Sequence, residues 1–338
     1  MRGAAILLVI YLHAYFSPWA VTPGSELLAL HVTHLFANSS VPVFLFISGY
    51  LLARDSSRDV LQYAARRARR IVLPMAVCMT AILAWTAWQA GGLDRSMLRS
   101  FALFDISGQY YYLAVLLILT VAAYPVRRWD ARRLAWLAAA AFVANLAMVT
   151  WYQVHGLGDA NGAELAYRNP LMWVFAYDFG LAVARARGTP LWGARAVAAA
   201  TVGMVAVFAV YLAHGLATGD YPVSYFGVTV FLFSSLSLIV YPAAVAGLGR
   251  LRAGRAVLAP FRALAPYAFA IYLLHKPFFI GVLSDRVVSH SVLAGDFMQL
   301  MLGLFVVGGS GAILFVVAVA RIGGPRVRAL IGVDPPRA

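Results

Sequence analysis

The side chains able to do chemistry are few, and two of them share a helix face. Arg2 and His13 open and close the stretch RGAAILLVIYLH, eleven positions apart. At 3.6 residues per turn that is close to three whole turns, so both lie on one face, roughly 16 Å apart along the axis. A guanidinium pairs bidentately with phosphate and an imidazole titrates near neutral pH. The pair therefore reads as an anion contact and a general base. The plainer alternative makes Arg2 a membrane-surface anchor and His13 a core histidine bonded to a neighbouring helix. Arg66, Arg67, Arg69 and Arg70 form the densest basic run. They fit contact with anionic lipid head groups or a clamp for a phosphate-bearing nucleotide.

The remaining candidates are single residues. His31 and His34 share a helix face, where an acceptor could enter, but no carboxylate stands at ligand spacing. With Cys78 as the one cysteine, no metal site is expected. Asp178 is an isolated carboxylate in an apolar run, which calls for a polar partner and could orient a histidine. His275 reads equally as a structural bond or a site residue, and Tyr272 stands three positions before it. Ser48, followed by Gly49, fits close helix packing better than nucleophilic attack. Tyr112 with Tyr110 and Tyr111 fits stacking on a sugar or an aromatic belt at the membrane interface.

The elements that hold these residues are apolar. Of 338 residues 62% are hydrophobic and 12% charged, with a mean hydropathy of +0.79. A soluble domain carries about 25% charged residues, so the chain reads as an all-α, polytopic integral membrane bundle. About ten transmembrane helices are expected, over residues 2–19, 35–53, 71–90, 109–126, 134–153, 169–184, 196–214, 223–249, 264–284 and 297–320. The net charge of +14 is no nucleic-acid signal, because the arginines cluster between apolar runs. With the N-terminus in the cytoplasm, 22 of the 27 basic residues fall inside. Arg95, Arg99, Arg168, Arg286 and Lys276 count as outside. Both termini are then cytoplasmic, and residues 1–338 form a single membrane domain. Residues 58–70 fit an amphipathic surface helix with Val60, Leu61, Tyr63 and Ala64 toward lipid. The eight tryptophans fall near the expected interfaces, among them Trp19 and Trp192.

Five stretches together resemble the acyltransferase 3 family of membrane acyltransferases. RGAAILLVIYLH is similar to its first-helix signature of a basic residue, ten residues and a histidine. VPVFLFISGYLL, residues 41–52, resembles its second-helix pattern. Arg66-Arg67-Ala-Arg69-Arg70 with Pro74 resembles the basic run and proline that open its third helix. Gln109-Tyr-Tyr-Tyr-Leu113 matches its aromatic helix start, and Ile271-Tyr-Leu-Leu-His275-Lys-Pro277 its late histidine-proline pattern. The matches run in order over residues 2–277. Members commonly have about ten residues before the arginine that here is residue 2.

The resemblance implies transfer of an acyl group, usually acetyl, from cytoplasmic acyl-CoA to a hydroxyl of a cell-envelope or exported glycan. It implies a bacterial-type inner membrane, and acyl-CoA as a donor substrate with no permanently bound cofactor. The expected partners are that donor, a glycan or lipid-linked saccharide and membrane lipid, with no nucleic acid. No extracellular SGNH domain is expected. On this reading Arg2, Arg66, Arg67, Arg69 and Arg70 hold the donor's phosphates. His13 acts as general base or as an acyl-carrying nucleophile. His34, Ser48, Tyr112, Asp178, Tyr272 and His275 are possible supporting residues. The rival is an exporter of polysaccharide or lipid-linked sugar without acyl-transfer chemistry. It has no use for the Arg2–His13 spacing or for a cytoplasmic phosphate clamp.

Overall fold

The computed structural model describes residues 1–16, 27–57, 59–156, 165–186, 193–219, 224–284 and 297–333. Arg58, Arg286, Trp19 and Trp192, named above, lie outside these residues. The described residues contain helices and no strand. In chain order the helices are α1 (Arg2–Phe16), α2 (Leu27–Asn38), α3 (Ser40–Ala53), α4 (Val60–Arg67), α5 (Leu73–Gln89) and α6 (Arg95–Ala102). Then come α7 (Tyr111–Ala123), α8 (Ala131–His155), α9 (Val174–Arg185), α10 (Ala194–Thr218) and α11 (Val228–Arg250). The last are α12 (Arg252–Leu264), α13 (Ala268–Leu274), α14 (Phe297–Gly303), α15 (Gly309–Ile322) and α16 (Gly324–Ile331).

Among the described residues, every expected apolar stretch overlaps a helix. Among the described residues, 7 helical runs are long and apolar enough to cross a membrane, and shorter ones cover Arg2–Ala14 and Gly108–Ala123. The chain is an all-α, polytopic membrane protein. Its helix ends follow local chemistry. Asp130 starts α8 by accepting the backbone N–H of Arg133 at 2.9 Å, and Asp94 starts α6 by accepting that of Met97 at 2.8 Å. These backbone bonds favour the ionised form and hold both carboxyls below the usual range. Gly219 ends α10 at φ 72°, a left-handed conformation that glycine adopts without Cβ strain.

The chain divides into two compact units. The first holds Leu28–Asp55 and Ala114–Pro260. Its centre is the pairing of α3 with α9, which backbone contact makes close. A Cβ on Gly49 would lie 2.0 Å from the Tyr177 carbonyl oxygen, and one on Gly180 would lie 2.1 Å from that of Phe46. Small residues permit this approach where helices cannot gain from a hydrophobic drive against lipid. Asn145 in α8 fixes the start of α9, donating to the Leu171 carbonyl and accepting the Phe175 N–H at 3.2 Å. Leu35, Tyr211, Val230 and Phe233 form a core, and Tyr211 donates to the His31 carbonyl at 3.2 Å. α10 keeps Val202, Val205, Val210 and Leu216 exposed, as a lipid-facing helix does.

The second unit holds Arg2–Leu27, Ser56–Leu113 and Phe261–Ala338. α1 is seated by glycine contacts near its start and at its middle. A Cβ on Gly3 would fall 1.9 Å from the Phe261 carbonyl oxygen, and one on Gly309 would fall 2.9 Å from Cγ2 of Ile10. Three π turns, Ala68–Val72, His275–Ile280 and Leu304–Gly308, interrupt the α geometry of this unit. A proline accompanies the first two, because a proline removes one N–H and clashes with the carbonyl four residues earlier. The amphipathic run differs from expectation in one residue. Val60 and Leu61 are exposed, but Tyr63 is buried, because its hydroxyl and ring face inward to hold Arg67.

Candidate active site

The site is built in the second unit, where α1 meets α13 and the π turn that follows it. α1 forms as one continuous helix from Arg2 to Phe16, so the shared face of Arg2 and His13 is real geometry. Both side chains are half-buried. The imidazoles of His13 and His275, 262 positions apart, lie with ring centroids 5.0 Å apart and planes tilted by 45°.

His275 is fully buried, and its surroundings assign its tautomer. Nδ1 lies 3.0 Å from the Ile271 carbonyl oxygen and 2.9 Å from that of Tyr272. Carbonyls only accept, so Nδ1 carries the hydrogen, and in the neutral ring Nε2 carries the lone pair. Nε2 is buried and has no hydrogen-bond partner among the described residues. The ring so oriented stands beside that of His13.

The π turn explains how His275 is held there. Pro277 has no N–H to give the Leu273 carbonyl, which an uninterrupted helix would bond from that position. Tyr110, fully buried, fills the gap: its hydroxyl donates to the Leu273 carbonyl at 2.7 Å. Tyr272 returns the link by donating to the Gln109 carbonyl. The rings of Tyr112 and Tyr272 meet edge to face at 5.5 Å. Two tyrosine bonds therefore tie the start of α7 to the turn that carries His275.

Lys276 and Gln109 complete the polar groups here, and neither stood out as a site residue in the sequence. Lys276 lies inside the helical segment, within the expected 264–284 span, with its Nζ 3.1 Å from where a Cβ on Gly108 would be. Gln109 is 2% exposed, and its Nε2 has no partner among the described residues. The signals available were Pro277, which announces a broken helix, and the rarity of lysine in this chain.

The arginines lie in the same unit. Arg66, Arg69 and Arg70 are exposed, while Arg67 is held with Nε 2.9 Å from the Tyr63 hydroxyl. The π turn Ala68–Val72 carries Arg69 and Arg70, and it precedes Pro74, whose missing N–H leaves the Arg70 carbonyl without its helical donor.

A family model for the acyltransferase domain matches residues 1–321. The chain belongs to the acyltransferase 3 family. It is a membrane acyltransferase. No curated protein and no solved structure matches it. In this acyltransferase, the first-helix, basic-run, aromatic-start and late histidine-proline motifs all contribute to the second unit. His34, Ser48 and Asp178 belong to the other unit. His34 is fully buried on α2, and Asp178 is buried on α9. The Ser48 hydroxyl donates to the Phe44 carbonyl at 2.8 Å within its own helix, beside the Gly49 contact. Among the described residues of the acyltransferase, no group of three His, Cys, Asp or Glu side chains could hold a metal ion.

Proposed function

We propose that this acyltransferase moves an acyl group, acetyl in the simplest case, from cytoplasmic acyl-CoA to a hydroxyl of a cell-envelope or exported glycan. The observation that carries this reading is the His13–His275 pair, with a bare nitrogen on His275 and Arg2 on the same helix face as His13. The membrane is a bacterial-type inner membrane with both termini in the cytoplasm, as the arginine distribution favours.

The chemistry follows from the residues. The donor's phosphates bind Arg2, Arg66, Arg67, Arg69 and Arg70, which supply delocalised cations suited to phosphate. The pantetheine arm runs along α1 and brings the thioester near His13. His13 takes the proton of the acceptor hydroxyl as its oxygen attacks the thioester carbonyl carbon. The tetrahedral intermediate collapses by breaking the C–S bond, and the departing thiolate receives that proton from His13. His275 Nε2 accepts the N–H of His13 while His13 is charged, so the imidazolium has a neighbour fixed in the right tautomer. A buried site also keeps water from competing as acceptor.

The test is transfer from labelled acetyl-CoA to a glycan by the purified protein in lipid nanodiscs. His13→Ala abolishes transfer while leaving the fold intact. An Arg66→Ala, Arg69→Ala double variant raises KM for acetyl-CoA with little change in kcat. A His13→Ala protein that transfers at the wild-type rate would refute the assignment. Glycan translocation without any label transfer would favour the exporter.

A further inference from the structure

The chain has 27 cationic side chains, and 26 are arginine. The single lysine is Lys276, the residue after His275. The two cations differ in use: arginine is a broad, weakly hydrated fork, whereas lysine is a compact point charge on a flexible stem. Lys276 sits in the π turn, half-buried, with its head against the backbone of Gly108. A Cβ there would stand 3.1 Å from Nζ, so a larger residue would press on the lysine head. Among the described residues the ammonium makes no hydrogen bond and no ion pair. It directly follows His275, whose ring centroid lies 5.0 Å from that of His13. Gln109, next to Gly108, offers a buried amide nitrogen that is also without a partner.

An ammonium without a partner inside a membrane-spanning segment is costly, and such a group is retained where negative charge is to be met. Among the described residues no carboxylate makes an ion pair with it. The negative charge must therefore come with the substrate, or form during the reaction.

We propose that Lys276 is the electrophilic group of the site, holding the thioester carbonyl oxygen as it becomes an oxyanion. This rests on the acyl-transfer reading above. As the acceptor oxygen bonds to the carbonyl carbon, the C=O π pair moves onto the carbonyl oxygen. The ammonium keeps its proton and donates a charge-assisted hydrogen bond to that oxygen. On collapse the pair returns to re-form C=O, the C–S bond breaks, and the thiolate leaves with the proton that His13 carried. Lys276 begins and ends as an ammonium. Gly108 gives the lysine head a fixed resting place, so its orientation precedes the charge it meets.

The experiment compares Lys276→Met, Lys276→Arg and Gly108→Ala in the full chain in nanodiscs. The readouts are kcat and KM for acetyl-CoA, and binding of a non-cleavable acetonyl thioether analogue of acetyl-CoA. Loss of an oxyanion donor lowers kcat by about 10²–10³-fold. Lys276→Met is expected to show that loss in kcat, with KM and analogue affinity within about threefold of wild type. Lys276→Arg recovers part of it, and Gly108→Ala, which keeps the charge but displaces it, lowers kcat without weakening the analogue. If Lys276→Met fails to fold, Gly108→Ala and Lys276→Arg decide by the same split. Wild-type kcat in Lys276→Met, or a loss confined to KM and analogue binding, would overturn the proposal. A wild-type protein that transfers no acyl group would bring down the acyl-transfer reading and this one together.

Discussion

Removing one hydroxyl, in Tyr110→Phe, tests how the site is built. Tyr110 is fully buried and its hydroxyl donates to the Leu273 carbonyl at 2.7 Å. That carbonyl lies four residues before Pro277, so its ordinary α-helical donor is missing. The variant keeps the ring and its packing and leaves one buried acceptor empty. An orphaned buried polar group costs about 1–3 kcal/mol, more than the net worth of an ordinary hydrogen bond. Because about 1.4 kcal/mol is a factor of ten, the π turn becomes roughly ten to a hundred times less favoured relative to its alternatives. The loss falls on the segment that carries His275 and Lys276, so kcat drops within that range while KM for acetyl-CoA stays put. Thermal unfolding in nanodiscs, followed by fluorescence, reads the stability side, and steady-state transfer reads the other. A Tyr110→Phe protein with wild-type melting and wild-type kcat would show that Leu273 finds another donor, and the argument for a tyrosine-braced turn would fall.

Three further outcomes are expected. Gly3→Ala puts a Cβ 1.9 Å from the Phe261 carbonyl oxygen, so α1 must shift by roughly 1 Å, a displacement able to lower kcat by up to about 10²-fold. An unchanged kcat with an intact fold would show that His13 needs no such placement. Gly49→Ala and Gly180→Ala each lower stability by about 1–3 kcal/mol, and the double variant loses less than their sum because both push the same helix pair apart. A double variant whose melting loss equals the sum would contradict that shared contact. Asp130 has its carboxyl lowered by the Arg133 N–H, so its contribution is complete above the unfolded carboxyl value and fades as pH falls through the lower folded one. Amide exchange at the start of α8 therefore speeds up in acid in the wild type, and Asp130→Asn flattens that dependence.

How much the sequence could show depended on whether a feature was local. The Arg2–His13 face is a matter of helical spacing and survives unchanged. The apolar stretches were legible because a bilayer sets their length. The approach of His275 to His13 was not, since it is a tertiary contact, like those of Gly3 with Phe261 and Gly309 with Ile10, that no periodicity records. Tyr63 was assigned to lipid because an amphipathic pattern marks a face without saying what covers it. Lys276 fell within the expected 264–284 span and was tallied to the outer side, but no pattern in the sequence marked its neighbourhood with His13. Division into two units was likewise hidden, because chain segments from both ends of the sequence enter the second one.

The π turn at His275–Ile280 has a consequence for which changes of sequence this segment tolerates. A turn with one residue too many rotates everything beyond it by about 100° relative to a regular helix. Upstream, the segment presents Tyr272 to Gln109, and downstream Phe279 packs on Phe315 at 5.7 Å and lies over Gly311. Deleting one residue there would restore ordinary helix geometry and yet swing one of these faces away from its partner. Variation in residue type is therefore easier to absorb at these positions than any change in length, so the segment's residue count is itself under structural constraint.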